Sequence, residues 1–254
     1  MSHDKFDLTG ERALVVGGAG GIGFAITEGL LEMGAKVVII DNAPQLQERE
    51  TNLRSKGFEC YGVYNDVTVR DEIQRSITRS KELLGGDIGI LVNSAGIQRR
   101  SSSEKFLDSD WDDVISVNLT SVFLYSRIIA SEMISNGRGK IINIASIMSQ
   151  FGGRTIPAYA ASKGGVAQLT KAMANDFGEK GVCVNAIAPG YIRTPMNSAI
   201  IDDPQRNSEI LLRTPLGRWG NPDDLKGIAI FLASKASDFV NGVVIPVDGG
   251  YSGR

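Results

Sequence analysis

Ala13-Leu-Val-Val-Gly-Gly-Ala-Gly-Gly-Ile-Gly23 joins a short apolar run to a glycine-rich turn, and its reading decides the fold. Phe24 to Met33 continues at helical spacing and closes at Gly34, and Lys36-Val-Val-Ile-Ile-Asp41 is a second buried-strand pattern. Strand, glycine turn, helix, strand and acid make up the dinucleotide-binding βαβ context. Gly18-x-Gly20-x-x-Gly23 and Gly17-x3-Gly21-x-Gly23 both satisfy a glycine fingerprint. Such glycines let the backbone approach a pyrophosphate at the helix N-terminus, where the macrodipole favours anions. Asp41, 18 residues past Gly23, is placed to accept from the adenosine ribose hydroxyls. A 2′-phosphate would face that carboxylate, and Asn42, Ala43 and Pro44 supply no cation, so NAD rather than NADP is the expected cofactor.

The alternation continues along the chain. A charged helix is predicted from about Pro44 to Lys56, then a strand over Cys60-Tyr-Gly-Val-Tyr-Asn-Asp66. Thr68-Val-Arg-Asp71 reads as a helix start with a capping box. Further strands are expected at Ile88–Val92, Lys140–Ala145, Val182–Ala188 and Gly242–Val247. Ser109 is read as the cap of a long helix reaching about Ser135, and Pro222 as the start of a late one. Strands separated by helices mean a single α/β domain over residues 1–254, a doubly wound parallel seven-stranded sheet of Rossmann type with helices on both faces. The long stretch without clear periodicity, residues 193–216, is read as a loop that lids the substrate site.

Composition narrows the chemistry. The net charge of −2, with Lys and Arg scattered, gives no general pull toward nucleic acid or an anionic membrane. No apolar run is read as approaching the roughly 20 residues of a membrane span, and the N-terminus lacks a signal-peptide core, so a cytoplasmic protein is expected. Cys60 and Cys183 read as reduced core residues. His3, the one histidine, stands in a polar tail where disorder is expected. A Ser-His-Asp hydrolase, an HExxH protease or a His-ligated zinc dehydrogenase each needs core histidine, so none is available and no metal site is expected.

General acid and base work then falls to Tyr, Lys or carboxylates. Ala158-Tyr-Ala-Ala-Ser-Lys-Gly-Gly-Val-Ala-Gln-Leu169 places Tyr159 and Lys163 four residues apart on one helical face. A cation about 4 Å from a phenol favours the phenolate by about 4 kcal/mol at an effective dielectric near 20, roughly three pKa units, which would bring Tyr159 near neutrality. Parallel sheets bind ligands at the carboxyl ends of their strands, and Asn93-Ser-Ala-Gly96, Ser146 and Pro189-Gly190 each sit there. The Ser146 hydroxyl can donate to a carbonyl oxygen while Tyr159 transfers a proton, Lys163 can hold the nicotinamide ribose, and Asn118 can anchor a water beside Lys163. Arg99-Arg100, just past the fourth strand, reads as a carboxylate clamp, a solvated pair or a subunit contact.

With these motifs the sequence resembles the short-chain dehydrogenase/reductase family from Gly17-x3-Gly21-Ile22-Gly23 to Val247-Asp-Gly-Gly250. The resemblance implies Asn118, Ser146, Tyr159 and Lys163 as the catalytic four, and Asp66 and Val67 near adenine. It further implies Asn93 and Gly96 as supports of the cofactor cleft, Pro189 and Gly190 beside it, and Ile192 and Thr194 at the nicotinamide amide. Val16 and Ser94 depart from the family's usual Thr and Asn. Asn93-Ser-Ala-Gly-Ile-Gln-Arg-Arg100 and Gly217-Arg-Trp-Gly220 are similar to the branch acting on sugar acids of the gluconate or 2-dehydro-3-deoxy-gluconate type. With NAD expected from Asp41, that branch implies interconversion of a secondary alcohol and a ketone with Arg100 as substrate ligand; Gln150 and Arg154, between Ser146 and Tyr159, are further rim candidates, and the family resemblance implies a homotetramer. The alternatives are the same chemistry on a neutral polyol, a sugar or a 3-oxoacyl thioester, and a non-enzymatic nucleotide-binding protein.

Overall fold

The computed structural model describes residues 5–254, so the expectation for His3 lies outside the described residues. Seven parallel strands, β1 (Arg12–Val16), β2 (Lys36–Asp41), β3 (Cys60–Tyr64), β4 (Ile90–Asn93), β5 (Gly139–Ile144), β6 (Val182–Pro189) and β7 (Val244–Val247), line up in the order 3-2-1-4-5-6-7. The direction of winding reverses between β1 and β4, and the register there sets Val16 beside both Ile40 and Asn93. A crevice opens at such a reversal, outside the carboxyl ends of the strands.

Period-two alternation builds the two layers. Ala13, Val15, Val37 and Ile39 face the cluster holding Ile26 and Leu30 of α1 (Gly21–Glu32) and Leu53 of α2 (Leu46–Ser55). Leu14, Val16, Val38 and Ile40 face the opposite cluster, with Ile73 and Ile77 of α3 (Arg70–Leu84). Tyr125 and Ile129 of α5 (Ser121–Ser135) and Met173 of α6 (Pro157–Phe177) complete that layer. On the first face α9 (Lys226–Ala233) adds Ala229 and Leu232.

The structure corrects several boundaries. The box expected at Thr68–Asp71 is absent: α3 starts at Arg70 with Val69 as its uncapped neighbour, because Thr68 turns back to donate to Asp66 at 2.7 Å. Ser109 does not cap either; α4 (Asp108–Ile115) begins one residue earlier, and a π-helical turn over Ser116–Thr120 separates it from α5. The continuous helical stretch Asp108–Ser135 has 28 residues and a mean hydropathy of 1.4 in its most apolar window, long and apolar enough to cross a membrane by length and composition. This overturns the reading that no run approaches that length; its apolar residues Val122, Tyr125, Ile129 and Met133 are buried against the sheet and its neighbours. Residues 193–216 are not a structureless loop. They carry α7 (Ser198–Ile201) and α8 (Pro204–Arg213), whose Ile200 and Ile210 pack with Trp219 in a small separate core.

The glycine turn shows which fingerprint is operative. Gly17 has φ +78°, and a methyl group there would strike the Ala95 backbone; one on Gly23 would enter the Gly17 carbonyl. Gly17, Gly21 (φ +51°) and Gly23 are therefore positions that demand glycine, and a methyl on Gly18 would crowd Val15 at 3.0 Å, whereas one on Gly20 would meet only the Gln45 side chain at 3.5 Å. Gly23→Ala is expected to cost about 1–3 kcal/mol by overpacking, lowering Tm by roughly 2–10 °C. Gly227→Ala, which adds a methyl into open space, should leave Tm unchanged or raised in the same calorimetric comparison.

Candidate active site

One cleft of about 430 Å³ runs along the carboxyl ends of the strands. On its β1–β3 side it is walled by Gly17, Gly21, Ile22, Gly23, Asp41, Asp66 and Val67. Gly20 caps α1 without a side chain, leaving the first amides of that helix facing the cleft. The Asp41 carboxylate is anchored by the amides of Ala19 (2.9 Å) and Ala43 (3.0 Å), and Asp66 closes its own turn through Thr68. Among the described residues, no Lys or Arg lines this side. Small residues, a helix N-terminus and a fixed acceptor fit an adenosine diphosphate moiety with free ribose hydroxyls.

Further along, Gly96, Ser146, Tyr159, Lys163, Pro189, Gly190, Ile192 and Thr194 line the same cleft. Ser146 sits just past β5 in extended conformation, its oxygen accepting from the Met148 amide at 3.1 Å. Pro157 opens α6 at its first turn and sets Tyr159 and Lys163 on the face turned to the cleft. Lys163 is 4% exposed, and its ammonium donates to the Ile144 carbonyl at 2.6 Å. Burial pulls its pKa down to about 8.

Tyr159 departs from expectation. Burial pushes its phenol up from its ordinary value, and the neighbouring Ser146 hydroxyl only partly opposes this. The ammonium lies 5.8 Å from the ring centroid and is directed to Ile144, so burial outweighs it at the phenol. The phenol is therefore the protonated, donor form in this state.

Other predicted residues part company with the cleft. Asn93 lies beneath it, donating to Ser126 (3.0 Å) and Asn143 (2.9 Å) in a buried ladder that Asn143 extends to Thr170. Asn118 sits in the π turn, where it accepts from Ile97 N (2.8 Å) and donates to Ile97 O (3.0 Å) and Ser162 (3.1 Å). Its side-chain amide is thereby engaged with Ile97 and Ser162, and π turns of this kind recur at functional sites. Gln150 is exposed and does not line the cleft. Arg99 turns away to Asp110 (3.5 Å) and Asp113 (3.6 Å) on α4, while Arg100 and Arg154 do line the cleft. The loops carrying those two are tied by Ser101 N to Thr155 O at 3.0 Å, with Thr155 held at φ +63°, strained for a β-branched residue.

Arg206, also in the lining, was absent from the sequence expectations. Asp203-Pro204 is a cap-and-first-turn signature that would have placed Arg206 in a helix and out of a loop. Every charged residue of the lining then sorts by place: Asp41 and Asp66 beyond β2 and β3, Lys163 buried at the centre, and Arg100, Arg154 and Arg206 beyond β4, β5 and β6.

A family model described as Enoyl-(Acyl carrier protein) reductase matches residues 17–252. The chain is 43% identical to gluconate 5-dehydrogenase of Gluconobacter oxydans, covering 98% of each. It is 44% identical to 2-dehydro-3-deoxy-D-gluconate 5-dehydrogenase of Bacillus subtilis, covering 99% of this chain and 98% of that one. Among solved structures, gluconate 5-dehydrogenase from Burkholderia cenocepacia in complex with NADP and tartrate superposes with a TM-score of 0.94 at 43% identity, over 99% of this chain and 98% of that one.

The raised Tyr159 pKa is open to direct measurement. In a wild-type minus Tyr159→Phe ultraviolet titration of the cofactor-free protein, the extra tyrosinate signal should appear only above about pH 10. A transition near neutrality would mean that the amine, not burial, governs the phenol.

Proposed function

We propose, from the premise that this chain belongs to the short-chain dehydrogenase/reductase family, that it is an NAD-dependent oxidoreductase interconverting a secondary alcohol and a ketone on a sugar acid. The observation that carries the reading is the convergence of Ser146, Tyr159 and Lys163 on one cleft with acids at one end and arginines at the other. Bound along the glycine turn, a nicotinamide dinucleotide supplies the hydride donor or acceptor. Gly17, Gly21, Ile22 and Gly23 hold its pyrophosphate, Asp41 its adenosine ribose, and Asp66 and Val67 flank its adenine. Gly96, Pro189, Gly190, Ile192 and Thr194 border its nicotinamide half.

In the reductive direction Tyr159 starts protonated and gives its proton to the substrate oxygen, which the Ser146 hydroxyl holds by hydrogen bond. Lys163, with a pKa near 8, can return that proton and steady the phenolate as it forms. In the oxidative direction the same groups run in reverse, Tyr159 taking the hydroxyl proton. Asn118 and Asn93 act one layer below: Asn118 fixes the Ile97 main chain of the wall, and Asn93 fixes the end of β4 to β5. Arg100 meets the substrate carboxylate, with Arg154 at the rim.

NAD is preferred over NADP because a 2′-phosphate would abut the Asp41 carboxylate with no cation in reach. The relative crystallised with NADP makes this a point on which similar chains can differ. A neutral polyol or a sugar could use the same proton chemistry, but neither calls for guanidiniums at the substrate end. A purely nucleotide-binding role leaves Ser146, Tyr159 and Lys163 without purpose. We take the working form to be a cytoplasmic homotetramer, a reading supported by free thiols at Cys60 and Cys183 and by exposed Leu107, Trp111, Phe123 and Phe239.

Assayed at the reduced-nicotinamide absorbance band, kcat/KM should be highest for NAD with gluconate or 2-dehydro-3-deoxy-gluconate, above polyols and acetoacetyl thioesters. Tyr159→Phe should remove turnover and keep NADH binding. Asp41→Ser should narrow the NAD preference by about tenfold or more, the weight of one charge contact. A faster wild-type rate with NADP would refute the Asp41 argument. Light scattering should return four times the 27.2 kDa chain mass.

A further inference from the structure

Arg206 lies in the first turn of α8, where Asp203 already caps the amides of Gln205 (3.0 Å) and Arg206 (3.2 Å). A cation there stands against the helix macrodipole, so the position gives the helix nothing. Among the described residues its guanidinium forms no ion pair and no side-chain hydrogen bond, and it lines the cleft beside Ile200.

Arg100 is in the same condition. Its side chain donates only to the Gln98 side-chain Oε1, at 2.9 Å, although its chain neighbour Arg99 finds two aspartates. The two guanidiniums arrive from different parts of the chain, one beyond β4 and one on α8, yet both line the same cleft as the half-buried Tyr191. Burial, followed by the charge of Arg206, lowers the pKa of Arg100. Like charges that face one partly desolvated space with no counter-ion oppose each other, and one anion between them relieves both. A carboxylate has the planar, two-oxygen form that guanidiniums grip bidentately. The cofactor phosphates are ruled out as that anion by place, since the glycine turn and both acids lie on the β1–β3 side.

We propose that Arg206 is a specificity-determining residue that joins Arg100 in holding the carboxylate of the substrate. The inference rests on the sugar-acid reading and deepens it: α8 supplies the second half of the clamp, so the acid itself fastens this helix over the cleft.

The test compares wild type, Arg206→Gln, Arg206→Lys and Arg100→Gln as full-length protein with matched melting temperatures. KM and kcat are measured with gluconate, 2-dehydro-3-deoxy-gluconate and neutral sorbitol. Gluconate binding to the NADH-loaded enzyme, a pair that cannot react, is measured by calorimetry. Arg206→Gln should raise the gluconate KM and dissociation constant about tenfold to a hundredfold, as loss of a charge-assisted contact does. NADH affinity and the sorbitol KM should stay put, kcat should hold within about twofold, and Arg206→Lys should recover part of the loss. Wild-type gluconate binding by Arg206→Gln, or an equal loss with sorbitol, would overturn the assignment. A wild-type enzyme that handles the acids no better than sorbitol sinks the sugar-acid reading and this inference together. One that prefers the acids while Arg206→Gln keeps that preference sinks only the inference.

Discussion

A buried amine held by one carbonyl organises this protein. Lys163 donates to Ile144 at the end of β5, and little solvent reaches it. Withdrawing an ammonium from water is costly unless hydrogen bonds replace the lost hydration, so the helix that carries it must seat against the strand that offers the acceptor. That seating sets Tyr159 one helical turn away, next to Ser146 just past the same strand. The neighbouring backbone adds to the hold, since the Ser149 hydroxyl donates to the Lys163 carbonyl at 2.8 Å. Lys163 is thus fixed by a main-chain acceptor, whose position follows from the sheet.

The sheet also divides the cleft by charge. Because the strands run in the order 3-2-1-4-5-6-7, whatever follows β2 and β3 falls on one side of the reversal and whatever follows β4, β5 and β6 on the other. Acidic residues follow the first pair and arginines the second group. A long ligand with hydroxyls at one end and a smaller acid placed beyond it match that division. The arginines carry a cost, since guanidiniums without partners oppose one another. Proteins keep such costs where binding relieves them, and the strained Thr155 backbone beside Arg154 belongs to the same rim.

The buried ladder from Ser126 through Asn93 and Asn143 to Thr170 supports both features from below. It crosses β4 and β5 at the point where their carboxyl ends must stay level, and amide side chains can do this because each is donor and acceptor at once. Asn118 performs a similar task at the wall, clasping both main-chain groups of Ile97. These asparagines hold the floor and wall of the cleft in place.

Much of this was written in local patterns. Apolar runs of strand length, the glycine turn, Pro157 at a helix start and the Tyr159–Lys163 spacing are short-range features, and short-range geometry follows from residue type alone. The sequence by itself therefore determined the parallel doubly wound fold, the nucleotide side of the cleft and the Ser146, Tyr159 and Lys163 set. Tertiary structure alone decided what depends on burial and on partners distant in the chain: that burial pushes the Tyr159 phenol up while its amine turns to Ile144, that Arg99 leaves the cleft for α4, that Gln150 faces solvent, and that α8 presents Arg206 to the cleft. A pKa and a charge pairing are set by what surrounds a group in space, and residues separated by a hundred positions cannot announce that neighbourhood in either of their local sequences.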